Sequence, residues 1–421
     1  MAGTFRQIRW LPRGNVRTIS AANFLTGMYQ SVLNVILQPF ILSFGVGVSA
    51  VGLLQAVASR LGGLVGALVQ PFGGYLADTR GRRPLAILGS GLTIGALALL
   101  VAGAFAPPQP WALAARVFPG FVLMALALIS SPALQSAVAE STDPRRRASA
   151  YATTAFFWVL PGALLAIPVG VVADRLGYGA VFGIALAFEV VNLVLFASLL
   201  QETSGAVKTV QPGRPWRERL GLDIRPSREV FGLYVISAMD AFAWGLAAMI
   251  IYGILRQTYG FSNTELTVIG AVWSLSFAIF LPPTAIFVNR FGPKRSILFS
   301  EFLGIPIMLG WIYSNRVEHF ALVSVLGGLT AATWVPALQT YLANWTSTEE
   351  RARVTGGLAA FRGLVAFPAP FIGGLLFDAY GYAIPIQANL VGAIATTVAI
   401  AVLLRDPPPA GVDRMAMPSA K

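Results

Sequence analysis

The chain has no cysteine and a single histidine, His319. Disulfides and thiolate chemistry are excluded, and a metal centre built from cysteine or histidine has no ligands to draw on. No metal and no cofactor is expected. Charge is scarce too: 11% of the 421 residues are Asp, Glu, Lys or Arg, against about a quarter in a soluble domain. No Gly-x-x-x-x-Gly-Lys-Ser/Thr loop is present, so ATP is not the energy source within this chain. There is no His-Glu-x-x-His pair either, which leaves a polytopic membrane enzyme without a catalytic constellation.

What the chain has in quantity is apolar residue, 56% of the total. A helix that crosses a bilayer needs ~20 mostly apolar residues. Such runs fall at roughly 18–42, 48–77, 84–106, 111–138, 149–173, 179–200, 230–255, 264–288, 296–314, 319–343, 354–377 and 383–404. Numbered in that order, they predict twelve transmembrane helices in an all-α polytopic membrane protein. Glycine (43) and proline (27) are plentiful, and membrane helices tolerate both better than soluble ones do. The first sixteen residues are basic and the apolar run behind them outlasts a signal-peptide core. Helix 1 is therefore expected to act as its own insertion signal, with no cleaved leader.

The formal charge of +12 raises nucleic acid as a partner, but its distribution points to a bilayer instead. With the N-terminus inside, 24 of the 30 basic residues fall on the cytoplasmic side, and only Arg175, Arg256 and Arg316 fall in outer loops. That skew is the positive-inside pattern. Both termini are expected in the cytoplasm of a multi-pass protein of the cell (plasma) membrane, with anionic lipid headgroups as the partners of the arginines. The longest polar segment, 201–229, holds Pro212, Gly213 and Pro215, as a linker should. It divides the chain into an N-terminal six-helix bundle, 1–200, and a C-terminal six-helix bundle with a short cytoplasmic tail, 230–421.

The two parts repeat. Pro132-Ala-Leu-Gln135 returns as Pro336-Ala-Leu-Gln339, and at the same offset of 204 Arg147 meets Arg351, Asp174 meets Asp378 and Tyr178 meets Tyr382. A finer echo runs four times through the chain. Gly74-Tyr-Leu-Ala-Asp78 with Gly81, Arg82 and Arg83 is echoed by Gly170 to Gly177, by Phe287 to Gly292 and by Gly374 to Gly381. The third copy has Asn289 for the acid, at an offset of 211 from Asp78, and Pro293 in its basic cluster. Helix 2 runs inward and helix 5 outward, so inverted three-helix units are nested in two parallel halves, a known transporter construction.

Gly74-x-x-x-Asp78-x-x-Gly81-Arg82-Arg83, Arg116-x-x-x-Gly120 and Glu140-Ser-Thr-Asp-Pro-Arg-Arg-Arg147 together resemble motifs of the major facilitator superfamily, over nearly the full chain. The likeness is to proton-coupled, drug-efflux-type members. It implies two pseudo-symmetric six-helix bundles around a cavity that opens alternately to each side. Helices 1, 4, 7 and 10 would line the cavity, helices 2, 5, 8 and 11 the seam, and helices 3, 6, 9 and 12 the rim. Gly74 would let helix 2 approach a neighbour closely. Asp78 would cap a helix N-terminus, where the dipole favours a carboxylate, and helix 11 across the seam is the implied partner. Gly81 supports the tight turn, and Arg82 and Arg83 are expected to pair with Glu140 or Asp143. The loop would latch one access state; the plainer alternative is a loop basic only for orientation.

Ionisable residues at bilayer depth are expensive and usually functional. Arg60, Arg116, Arg362, Glu189, Asp240 and Glu301 lie there. Asp240 on helix 7 and Arg362 on helix 11 have matching depths, so an ion pair is predicted, either as a coupling switch or as a static pin. Arg116 is expected to face the cavity, and the resemblance implies a part in proton movement. Helix 1 carries no acid as its partner, only Asn23, Gln30, Asn34 and Gln38 at near-helical spacing. Glu189 and Glu301 fall on expected rim helices. Trp158, Trp244 and Trp334 are candidates for an apolar cavity lining, each equally readable as packing.

These features predict a secondary active transporter, a monomer that moves a small molecule by alternating access and is not an enzyme. Proton-coupled efflux of amphipathic compounds, as an antiporter, is the first expectation. Three buried arginines against one cavity acid keep transport of an organic anion open, and a passive facilitator or channel is the remaining class.

Overall fold

The structure is a computed structural model and describes residues 14–58, 63–143, 147–203, 230–345 and 348–405. Arg60, Arg145, Arg146 and most of the expected linker lie outside the described residues. Each apolar run forms helix. Helix 1 spans Asn15–Leu42; helix 2 is Val48–Ala58 and Leu64–Arg80; helix 3 is Arg82–Ala104; helix 4 is Pro110–Glu140; helix 5 is Arg147–Leu176; helix 6 is Tyr178–Leu199. Helix 7 follows at Phe231–Tyr259, helix 8 at Asn263–Phe291, helix 9 at Pro293–Tyr313 and helix 10 at Val317–Trp345. Helix 11 is Thr348–Ala366 and Ala369–Tyr380, and helix 12 is Ala383–Leu403. No strand occurs among the described residues.

The largest departure from the apolar runs is at helix 11, which begins at Thr348 rather than near 354. Its first turn is polar (Glu349, Glu350, Arg351) yet helical; hydropathy registers the bilayer, not the hydrogen bonds that continue the helix beyond it. Several helices are broken at depth. Helix 4 opens into a π turn at Leu113–Val117, around Arg116, and tightens to a 3₁₀ turn at Ala127–Ser130. Helix 7 has a 3₁₀ turn at Ala248–Ile250.

The four copies of the helix-ending Asp/Asn device end alike. Gly81, Gly177, Gly292 and Gly381 have φ of 98°, 80°, 83° and 83°, a region that a Cβ disfavours. Each glycine N–H closes the helix before it: those of Gly81 and Gly177 reach Ala77 and Ala173, and those of Gly292 and Gly381 reach Val288 and Phe377. The next helix then starts within two residues.

Packing repeats between the halves. Helix 1 packs on helices 5 and 6, helix 2 on helix 4, and helix 3 on helices 4 and 6. The second half matches this with helix 7 on 11 and 12, helix 8 on 10, and helix 9 on 10 and 12. Across the seam, helix 2 meets helix 11 and helix 5 meets helix 8. The bundle thus has two ends: a basic end, with Arg80, Arg82, Arg83, Arg290, Lys294 and Arg295, and a far end, with Asp174 and Asp378.

Candidate functional site: a seam engaged at one end and a buried charge cluster

At the far end the two halves are hydrogen-bonded together. Asp174, closing helix 5, reaches the start of helix 8. Its Oδ1 accepts from the backbone N–H (3.0 Å) and Nδ2 (2.8 Å) of Asn263, and its Oδ2 from the N–H (2.8 Å) and hydroxyl (2.6 Å) of Thr264. Asp378, closing helix 11, accepts from the N–H groups of Val48 (2.9 Å) and Ser49 (3.0 Å) at the start of helix 2. Both carboxylates sit where unpaired N–H groups and the helix dipole favour negative charge. The glycine four residues before each acid makes room: a Cβ on Gly170 would overlap Thr267, and one on Gly374 would overlap the backbone of Val48 and Ser49.

Gln38 adds a third tie. The break in helix 7 frees the Met249 carbonyl and the Gly253 N–H, and Gln38 satisfies both, donating to the first (2.9 Å) and accepting from the second (2.8 Å). Broken backbone in a membrane needs such a partner, so Gln38 belongs to the seal rather than to a cavity wall. Phe44, Val48 and Val51 share a buried cluster with Ile250, Ile254 and Ala271 of the other half.

At the basic end the same device is differently employed. Arg82 Nη2 lies 2.9 Å from both Asp78 Oδ1 and Glu140 Oε1, so the expected Arg82–Glu140 pair is present. Asp78 pairs with Arg82 one turn on, and the expected cap on helix 11 is not the contact it makes. Glu202, after helix 6, caps helix 3 instead, accepting from the N–H groups of Arg82 (2.8 Å) and Arg83 (3.0 Å). Arg83 donates to the Ala197 carbonyl, and Glu140 accepts from Thr203 (2.6 Å). None of these bonds reaches the second half. Gly74 has room for a Cβ, which would make ordinary contact with Pro132 at 3.9 Å; the close approach falls one residue earlier, where Gly73 meets the Ile129 carbonyl of helix 4. Among the described residues, all hydrogen bonds joining the halves lie at the far end.

Inside the second half, Arg362 Nη2 donates to Asp240 Oδ2 at 3.2 Å. Asp240 is buried, with a side chain 6% exposed, while that of Arg362 is 41% exposed. Glu301 of helix 9 completes the cluster: it is buried beside Asp240, on the stretch of helix 9 that packs against Trp244. Glu301 is 1% exposed and its Oε1 has no hydrogen-bond partner. Sequence reasoning set Glu301 on the rim and missed this contact. Depth was the available signal, because Glu301 and Asp240 each stand about two turns from the basic-end start of their helices.

The remaining candidates are dispersed. Arg116 is exposed and donates to the Ala102 carbonyl at the end of helix 3 (3.2 Å), with no carboxylate partner among the described residues. Gln30 is buried and donates to Asn34 (3.3 Å). Trp158 is exposed, Trp244 half-buried, and Trp334 buried with its indole N–H unpaired. Glu189, also expected on the rim, is 4% exposed and accepts from Tyr29 (2.5 Å), Ser90 (2.5 Å) and Asn192 (3.1 Å).

Comparison with known proteins agrees with this architecture. The family model described as Major Facilitator Superfamily matches residues 19–234 and 230–417. The multi-drug resistance efflux pump PmrA of Streptococcus pneumoniae serotype 4 is 24% identical over 387 residues, covering 89% of this chain and 92% of its own. The multidrug resistance protein MdtG of Salmonella choleraesuis is 25% identical over 366 residues, covering 85% and 87%. Among solved structures, the nucleoside transporter NupG matches with a TM-score of 0.74 at 13% identity, over 93% of this chain and 100% of that one. A D-xylose-proton symporter gives 0.72 at 14% identity, over 92% and 97%.

Proposed function

This chain belongs to the major facilitator superfamily and is a membrane transporter, not an enzyme; from that premise we propose that it is a proton-coupled exporter of amphipathic organic compounds. The observation that carries the proton link is the ion pair of the buried Asp240 with Arg362. A buried pair is poor support for stability, because desolvation offsets its attraction, but it is a good switch: protonating the acid or occupying the arginine loosens two helices at once. Efflux of amphipathic compounds is supported by relatives named as multidrug efflux and resistance proteins, aligned over most of both chains.

In this reading the bundles 1–200 and 230–421 move as bodies joined by 201–229, and the protein works as a monomer in the cell membrane. The basic end and both termini face the cytoplasm. The engaged far end is then the closed outer gate, and the conformation described is the inward-open one. Arg116, Arg60, Gln30, Asn34, Trp158, Trp244 and Trp334 are assigned to the transport path, and Gly74, Asp78, Gly81, Arg82, Arg83 and Glu140 to the inner latch.

The test is transport in vesicles with an imposed pH gradient, using ethidium as a cationic probe and carboxyfluorescein as an anionic one. Ethidium movement should follow the polarity of the gradient, and Asp240→Asn should abolish that while sparing counterflow. Equal stimulation by both polarities would sink proton coupling. The alternative substrate is an organic anion, supported by Arg362, whose side chain is 41% exposed and whose buried Nε has no partner; carboxyfluorescein would then be the probe that moves.

A further inference from the structure

The two halves hold buried polar clusters at equivalent places, and the difference between them is chemical. The offset of 211 that relates Asp78 to Asn289 also carries Tyr29 onto Asp240 and Ser90 onto Glu301. In the first half both positions are hydroxyls, and both donate to the carboxyl of Glu189. A hydroxyl brings its own proton to a hydrogen bond. In the second half both positions are carboxyls, buried beside each other. An ionised carboxylate only accepts, so a hydrogen bond between two carboxyls needs a proton from outside. The first cluster is complete as built; the second is complete only when a proton is bound.

We propose that Asp240 and Glu301 form a single proton-binding site, with Arg362 as its counter-charge. The inference deepens the proton-coupled reading above and adds Glu301 to it. With one proton the carboxyls share an O–H···O bond and the triad with Arg362 is neutral, the least costly state for buried charge. A second proton, taken from water on the open side, forms an O–H bond at Asp240 and leaves the triad with one positive charge. That charge lies on Arg362, the only member with substantial exposure (41%). Arg362 is then free of its carboxylate partner, and release of the proton on the other side restores the pair. Losing the first proton instead would leave two carboxylates facing each other at 6% and 1% exposure, so the second proton is the one that cycles.

Among the described residues, no other titratable side chain stands at this depth on the helices packed around the site. Helix 12 has none, and contributes the neutral Asn389 and Thr396, both fully buried. Helix 11 contributes only Arg362 at this depth, and the ionisable Glu318 and His319 of helix 10 are at its far end. Gly304, one turn from Glu301, keeps helices 7, 9 and 12 close: its Cβ position is 3.4 Å from Trp244 and 3.6 Å from Ala393.

Infrared difference spectroscopy of the full-length protein in lipid nanodiscs reads protonated carboxyls directly. Wild type should show a protonated-carboxyl band at neutral pH and a second that grows on acidification. Glu301→Gln should lose the neutral-pH band, because Asp240 then pairs with Arg362 alone, and Glu189→Gln should keep it. Wild-type protein without that band overturns the proposal with no variant needed, as does a band that survives Glu301→Gln. In vesicles, Glu301→Gln should also lose the pH-gradient stimulation of ethidium transport and retain counterflow; wild-type stimulation in this variant overturns the proposal too. If wild type itself ignores the gradient, the coupled-transport reading falls, and the infrared result still decides whether the proton is shared.

Discussion

The far-end and basic-end copies of one sequence device behave differently. Asp174 and Asp378 each cap a helix of the opposite half, and the glycine before each is pressed against that helix. Asp78 bonds within its own half, and the Cβ position of Gly74 is in ordinary contact with Pro132 of that half. All copies share the positive-φ glycine that ends the helix, so local geometry does not separate them. What separates them is whether a partner helix start lies within reach. The structure holds both arrangements: a carboxylate that meets the N–H groups across the seam, and one that meets a cation of its own half. Transport by alternating access needs such a pair of ends, each closing while the other opens.

Three experiments break or sharpen that contrast, and the absence of native cysteine makes each clean. A Val51→Cys reporter, fully buried here in the far-end seal, is labelled by an impermeant maleimide only when the far end opens. The largest effect is expected from Gly374→Leu. Overpacking costs about 1–3 kcal/mol, so far-end labelling should rise roughly tenfold or more and transport should fall with it. Unchanged labelling would mean that the seam is not held by close approach. Removing both caps, with Asp174→Ala and Asp378→Ala together, comes next. Each cap is worth about 1 kcal/mol, and a several-fold rise in labelling is expected for each. The smallest effect, about 0.3–1 kcal/mol from the dipole interaction, should have the opposite sign. Asp78→Asn removes no bond across this seam and here loses only an exposed i,i+4 pair with Arg82, which keeps Glu140, so it should lower far-end labelling by weakening most the state in which the basic end is closed. A rise with Asp78→Asn would show that the copies do not work against each other.

Much of the fold was legible from hydropathy, because a bilayer imposes one length on every helix. Residues such as Glu349 and Arg351 mark where that signal stops, since a polar turn outside the bilayer is helical without being apolar. The Arg82–Glu140 and Asp240–Arg362 pairs were legible from charge and matched depth. Glu202 as the cap of helix 3 was not, because an acid after a helix carries no mark of which N-terminus it will reach. Gln38 looked like one more member of a polar stripe on helix 1. Its true employment depends on a break in helix 7 that no residue there announces.

The sequence by itself determined the number of spans, the internal repeat, the helix-ending glycines and the family, because each of these rests on local composition or on residue spacing along one chain. Only the tertiary structure decided which copies of the repeated device are engaged, and that Glu301 meets Asp240 while Glu189 meets Tyr29 and Ser90. Those outcomes depend on distances between helices far apart in sequence, which are set by packing across two halves, and a hydrogen bond is made or lost over less than the width of one side chain.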